Sequence, residues 1–234
     1  MIENFIVSGC SFSAGSSSIN QAEENPKVWP DFLLPVLKPK FFINLSIPGS
    51  GNLSIANNLT LCLETKKNLS PTNSIIGINI SGLDRIDIMC SVDHPDANKY
   101  FSWGKDLGHN WITHGAWVGL EKSSPFYGSL QKNMELEQAR TMSCLSIVHC
   151  FSYLELHNFK YFFMLMDDYI INDSPAWFTD YLDQRKDKCV KFNQHQSMHS
   201  YAKSCEGLHT DQFHPSVIGH KLIAEQIKSF IQKN

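Results

Sequence analysis

The chain has 234 residues, within reach of one α/β domain around one continuous core, so a single domain over 1–234 is expected. Hydrophobic residues make up 42% and charged residues 18%, well away from the polar, charge-rich signature of disorder. A net charge of -3 and the lack of any Lys/Arg run exclude a basic footprint for nucleic acid and a polybasic membrane anchor, leaving a diffusible or surface-linked organic substrate as the better partner.

The N-terminus has neither the basic start nor the sustained apolar run of a secretory signal, and no stretch is long enough to span a bilayer; a cytoplasmic location is expected. The 7 cysteines are odd in number and scattered, which reads as reduced, mostly buried thiols and not as a disulfide framework.

Asn4-Phe5-Ile6-Val7-Ser8 is short, apolar and partly β-branched, and it runs into the small-residue cluster Gly9-Cys10-Ser11-Phe12-Ser13-Ala14-Gly15: a strand ending in a turn. Phe41–Leu45 is a second strand, leading through Pro48-Gly49-Ser50-Gly51-Asn52 into a helical pattern from Leu53 to about Leu69. Ser74–Ile80 is a third, with the continuous apolar character of a strand buried on both faces, and it ends in Ser81-Gly82-Leu83-Asp84-Arg85. A long helix is expected from Leu130 to about His157, then a fourth strand over Lys160–Met166 ending in Asp167-Asp168. The last helix is expected to open at Pro215. The pattern fails at about 91–127 and 173–209, which read as irregular insertions of the kind that form lids or binding loops. Strands alternating with helices predict a three-layer α/β/α sandwich with a mostly parallel central sheet, its ligand site at the carboxyl ends of the strands.

Gly9-x-Ser11 puts a hydroxyl in a tight turn where backbone N–H groups can gather, as an acyl-transfer nucleophile requires, although serine in such a turn is more often a helix cap. Asp211-x-x-His214-Pro215 adds a carboxylate able to orient an imidazole whose other nitrogen faces a hydroxyl; the plainer alternative is that Asp211 or His214 only caps the last helix. Together the two motifs favour catalysis by Ser11, His214 and Asp211.

At these positions the chain resembles the SGNH (GDSL-like) hydrolases, in short blocks dispersed over its whole length. Gly9-Cys10-Ser11-Phe12-Ser13-x-Gly15 looks like the first block, with Cys10 where the family name has aspartate; Asn44–Asn52 looks like the second, and Asp211-x-x-His214-Pro215 matches the last. The resemblance implies a flavodoxin-like SGNH fold, nucleophile Ser11, and an oxyanion hole formed by the N–H groups of Ser11 and Gly49, with Gly51 in reserve. The third block departs: the family has Gly-x-Asn-Asp, whose asparagine donates to the oxyanion, whereas this chain has Gly82-Leu83-Asp84-Arg85. An ionised Asp84 accepts hydrogen bonds and repels an oxyanion, so Arg85 turning inward is the favoured replacement, with Asn79 or Asn52 as alternatives and an Arg85 ion pair to Asp84 or Asp87 weighed equally.

The expected reaction is hydrolysis of an ester, such as an O-acetyl or other short acyl group on a carbohydrate, through a Ser11 acyl-enzyme and without cofactor or metal. Asn52, Asp84, Trp103 and Trp177 are the expected substrate contacts. Cys189, His195, His199, Cys205 and His209 cluster without metal-ligand spacing. The competing class is a catalytically weak or inactive module that keeps the fold and serves a carbohydrate-binding or structural role.

Overall fold

The computed structural model describes residues 2–14, 27–95, 104–114, 135–208 and 213–233. Four parallel strands, β1 (Asn4–Ser8), β2 (Phe41–Asn44), β3 (Ser74–Ile80) and the later β6 (Lys160–Leu165), form the central sheet in the order β2-β1-β3-β6. β1 and β3, the central strands, are buried at every position, and the edge strand β6 at all but its first, as strands covered on both faces must be. β2 is the more exposed edge strand.

Ring contacts identify what covers each face. Phe162 and Phe163 are successive residues of β6 and so point to opposite sides. Phe162 meets Trp29 of helix α2 (Trp29–Leu37) and Phe230 of the C-terminal helix α9 (Val217–Lys233). Phe163 meets Phe151 of the long helix α5 (Leu136–Leu156). On that second side the Ser8 hydroxyl donates to Ile55 O of helix α3 (Asn52–Thr65). The result is the three-layer α/β/α sandwich expected from the alternation of strands and helices.

Several boundaries differ from the sequence reading. α2, with Pro30 in its first turn and Pro35 inside, carries breaker residues that masked it; Asp31 offsets them by accepting from Val28 N at 2.9 Å. The stretch expected to be irregular from 91 to 127 contains a four-residue helix, α4 (Gly104–Leu107), and β5 (Asn110–His114), which pairs antiparallel with β4 (Ile86–Cys90). That hairpin escaped notice because its inward face includes the buried carboxylate Asp87, which breaks the apolar alternation. The second such stretch, 173–209, contains helices α7 (Ala176–Asp183) and α8 (Met198–Ser204), preceded by the short α6 (Tyr169–Asn172). The last helix begins at Val217, not at Pro215; Ser216 caps it, its hydroxyl accepting from Gly219 N at 3.2 Å.

All seven cysteines are free thiols, with Cys10, Cys62, Cys144 and Cys150 buried. Among the described residues no helix is long and apolar enough to cross a membrane.

Candidate active site

The strand order β2-β1-β3-β6 reverses direction between β1 and β3, and in open α/β sheets the crevice at that switch point, beyond the carboxyl ends of the strands, is where ligands bind. β1 ends there at Ser8, and Ser11 opens α1 (Ser11–Ala14), a single helical turn held by Ser13 N donating to Cys10 O at 2.9 Å. Trp29 Nε1 donates to Ser13 Oγ and Asn44 Nδ2 to Ser13 O, so the turn is pinned from two sides.

From the other end of the chain, 203 residues away, His214 Nε2 lies 2.9 Å from Ser11 Oγ. With the proton on Nδ1, Nε2 accepts from the hydroxyl, as a general base must. Phe12, fully buried beside Ser11, packs on Phe213 and His214 with ring centroids 5.4 and 5.3 Å away. His199 Nδ1 lies 2.9 Å from Phe213 O, within reach to donate to it. Behind this pair His220 of α9 is 6% exposed, and burial together with the nearby His214 pulls its imidazole down to about 3. The sequence assigns Phe12 no part beyond its place in the first block, weighs His199 only as a metal ligand, and does not single out His220, because nothing local ties any of them to His214. Helix capping, the competing role for His214, is performed by Ser216.

The second turn is knitted to the first. Leu45 N and Ile47 N donate to Val7 O and Gly9 O, prolonging the β1–β2 pairing, and Ser50 Oγ donates to Gly9 O. Gly49 has φ 79°, a left-handed conformation that favours glycine, and among the described residues nothing accepts from its N–H. The Gly51 N–H is already used: with Ser54 N it donates to the Asp87 carboxylate at 2.9 Å. Thr113 Oγ1 donates to the same carboxylate at 2.6 Å. Asp87 therefore serves the first turn of α3 by accepting from N–H groups the helix itself leaves unpaired; burial pushes its carboxyl above the usual range, and these hydrogen bonds oppose the rise.

The third turn supports the second. Ser81 Oγ and Arg85 Nη1 both donate to Ser50 O at 2.8 Å, and Arg85 Nη2 lies 3.6 Å from Met166 Sδ. Arg85 is 9% exposed, placed beneath the Gly49–Gly51 turn. Asn52, expected at the substrate, is fully buried and tied up internally: its amide donates to Ser81 O and Ser143 Oγ and accepts from Ser81 N. Asn79 is equally enclosed, accepting from the Cys10 thiol at 3.2 Å. Asp84 stays partly exposed at the rim, and Trp177 is 43% exposed on α7. Asp211 and Trp103 lie outside the described residues. Among the described residues no three His, Cys, Asp or Glu side chains gather as a metal site would require.

No family model and no curated protein matches the sequence. Solved structures do match. A member of the lipolytic protein G-D-S-L family from Veillonella parvula superposes with TM-score 0.55 at 10% identity, covering 99% of each chain. The psychrotrophic esterase EstA from Pseudoalteromonas sp., seen inhibited by monoethylphosphonate, gives 0.52 at 12% identity over 99% of this chain and 97% of that one. The lipase Lip_vut3 from a goat rumen metagenome gives 0.51 at 12% identity over 98% and 97%. The order of strands, the three layers and these near-complete superpositions together give the chain the fold of the SGNH (GDSL-like) esterases and lipases.

Proposed function

We propose that the protein is a serine esterase in which Ser11 attacks an ester carbonyl and His214 is the general base, oriented by Asp211. The observation that carries the reading is the 2.9 Å approach of Ser11 Oγ to His214 Nε2 at the carboxyl rim of the sheet. His214 takes the Ser11 proton as Oγ bonds to the carbonyl carbon, and the oxyanion forms in front of the N–H groups of Ser11 and Gly49. Collapse breaks the ester C–O bond, and the leaving alcohol takes the proton from His214. Water, deprotonated by the same imidazole, then attacks the acyl-enzyme; the acid is released and Ser11 recovers its proton. Arg85, tied to Ser50 O, holds the Gly49 turn and places a positive charge beneath the oxyanion.

The substrate proposed is a small acyl ester, with an O-acetyl or other short acyl group on a carbohydrate as the finer reading. Asp84 supports it by offering a rim carboxylate to sugar hydroxyls. Hydrolysis of p-nitrophenyl acetate should fall by about 1,000-fold or more in Ser11→Ala and in His214→Ala. A fluorophosphonate should label Ser11, as mapped by mass spectrometry. Wild-type hydrolysis no faster than that of Ser11→Ala would leave the chain as a catalytically inactive module with this fold.

A further inference from the structure

The third turn lacks the asparagine amide that this proposed reaction would use, and the nearest carboxylate, Asp84, cannot donate when ionised. A different group reaches that space. β6 runs beside β3, with Leu165 opposite Ile80, and Met166 N donates to Ile80 O, so the segment after β6 emerges next to Ser81-Gly82. Three residues later comes Tyr169, the first residue of α6, whose hydroxyl reaches the turn that follows β3. A Cβ on Gly82 would run into the Tyr169 hydroxyl, and would also come within 2.9 Å of Asp84 Oδ1 and 3.3 Å of Arg85 Nε. The phenol oxygen thus occupies space that only a glycine leaves open, in the pocket shared with Asp84 and Arg85.

The nucleophile is close by. β1 pairs with β3 through Ser8 opposite Ile78, so the chain after Ser8 runs about one strand spacing, roughly 4.8 Å, from the chain leading to Ser81. The Cys10 thiol, adjacent to Ser11, lies 3.5 Å from Met166 Sδ, which closes the same rim from the β6 side. Among the described residues no hydrogen bond occupies the Tyr169 hydroxyl, and it is not among their buried, unpartnered polar atoms.

The geometry points to the Tyr169 hydroxyl as the third donor to the oxyanion, taking the place of the missing asparagine amide. This inference rests on the esterase reading and assigns a catalytic residue that the sequence motifs did not contain. Its neighbours suit the task. Burial raises the phenol above its ordinary pKa despite Arg85, with Asp84, Cys10 and Asp167 adding to the rise, so the proton stays on oxygen through neutral pH. A neutral phenol donates one short hydrogen bond and, unlike Asp84, carries no charge to repel the oxyanion.

Tyr169→Phe removes one oxygen and keeps the ring. With p-nitrophenyl acetate it should lower kcat by about 100- to 1,000-fold while KM changes little, because the lost bond belongs to the transition state. Adding Asp84→Asn to that variant should restore at least about tenfold, since an amide donor returns to the same space and a merely structural tyrosine would not be replaced in this way. Should Tyr169→Phe fail to fold, a ring-difluorinated tyrosine at 169 keeps the shape while making the phenol more acidic. It should bring a new alkaline limb into the pH profile of kcat. A kcat within about threefold of wild type in the Phe variant, or an unchanged profile in the fluorinated protein, overturns the inference. Ser11→Ala assayed in parallel separates the two claims. If turnover needs Ser11 but ignores the Tyr169 oxygen, only this inference falls; if turnover does not need Ser11, the esterase reading falls and this falls with it.

Discussion

His220 shows how a single buried side chain can set the response of the protein to acid. Its Nδ1 is enclosed without a partner, and the folded state holds its imidazole down at about 3 against an ordinary value of 6.5. Between those values the unfolded chain binds a proton that the folded chain refuses, so the stability present above pH 6.5 is lost as pH falls toward 3. The steepest loss from this one group is about 1.4 kcal/mol per pH unit. His220→Leu removes both the titration and the orphan nitrogen. Its Tm, compared with wild type at neutral pH and again at about pH 4.5, should fall less on acidification. An equal drop in both proteins would mean that His220 is not the group that titrates. Ser11 and Gly49 are the opposite case, residues whose setting was legible because glycine-rich turns after strands have a local signature. Phe12 and Tyr169 had none: an aromatic residue in a strand–turn segment reads as core, and only its neighbours give it another part.

The C-terminal element places His214 through a close backbone contact. Gly219, in the first turns of α9, packs against Gly207: a Cβ on Gly219 would strike the Gly207 carbonyl oxygen, and one on Gly207 would sit 2.8 Å from Gly219 Cα. Ser216 N donates to that same carbonyl at 2.7 Å, and Leu208 bridges Pro215, so the chain either side of His214 is docked by a seam with no room for a side chain. Gly219→Ala should push the start of α9 outward and carry His214 with it. Displacements of about 1 Å at a reacting pair can cost about 100-fold, so kcat for p-nitrophenyl acetate should fall at least about tenfold. The Tm should drop by only a few degrees, because most of α9 stays anchored through Ile223 and Ile227. Activity equal to wild type would show that the seam does not position the imidazole. The motif Asp211-x-x-His214-Pro215 announced this region in the sequence, but the helix start two residues beyond Pro215, with Ser216 as its cap, became visible only when the Gly207 carbonyl was seen between them.

Across the whole molecule the proposed nucleophile and base come from chain ends 203 residues apart and meet only when the sheet and both helical layers are in place. Phe12 at one end and Ile223 and Ile227 at the other belong to the same continuous core. Loss of hydrolysis in urea should therefore coincide with the loss of tryptophan fluorescence, as for a cooperative transition. An activity midpoint well below the fluorescence midpoint would show instead that the C-terminal segment detaches alone. The alternation of strands and helices, the buried character of β1, β3 and β6, and the small-residue turns at their ends were all readable from the chain, because each depends on residues near in sequence, whose periodicity and turn chemistry are local. The β4–β5 hairpin, Asp87 at the start of α3, Arg85 beneath Ser50 and Tyr169 over Gly82 were decided only by the folded arrangement. Each depends on partners brought together across the sheet, and the free energy of such contacts leaves no periodic trace in the residues that make them.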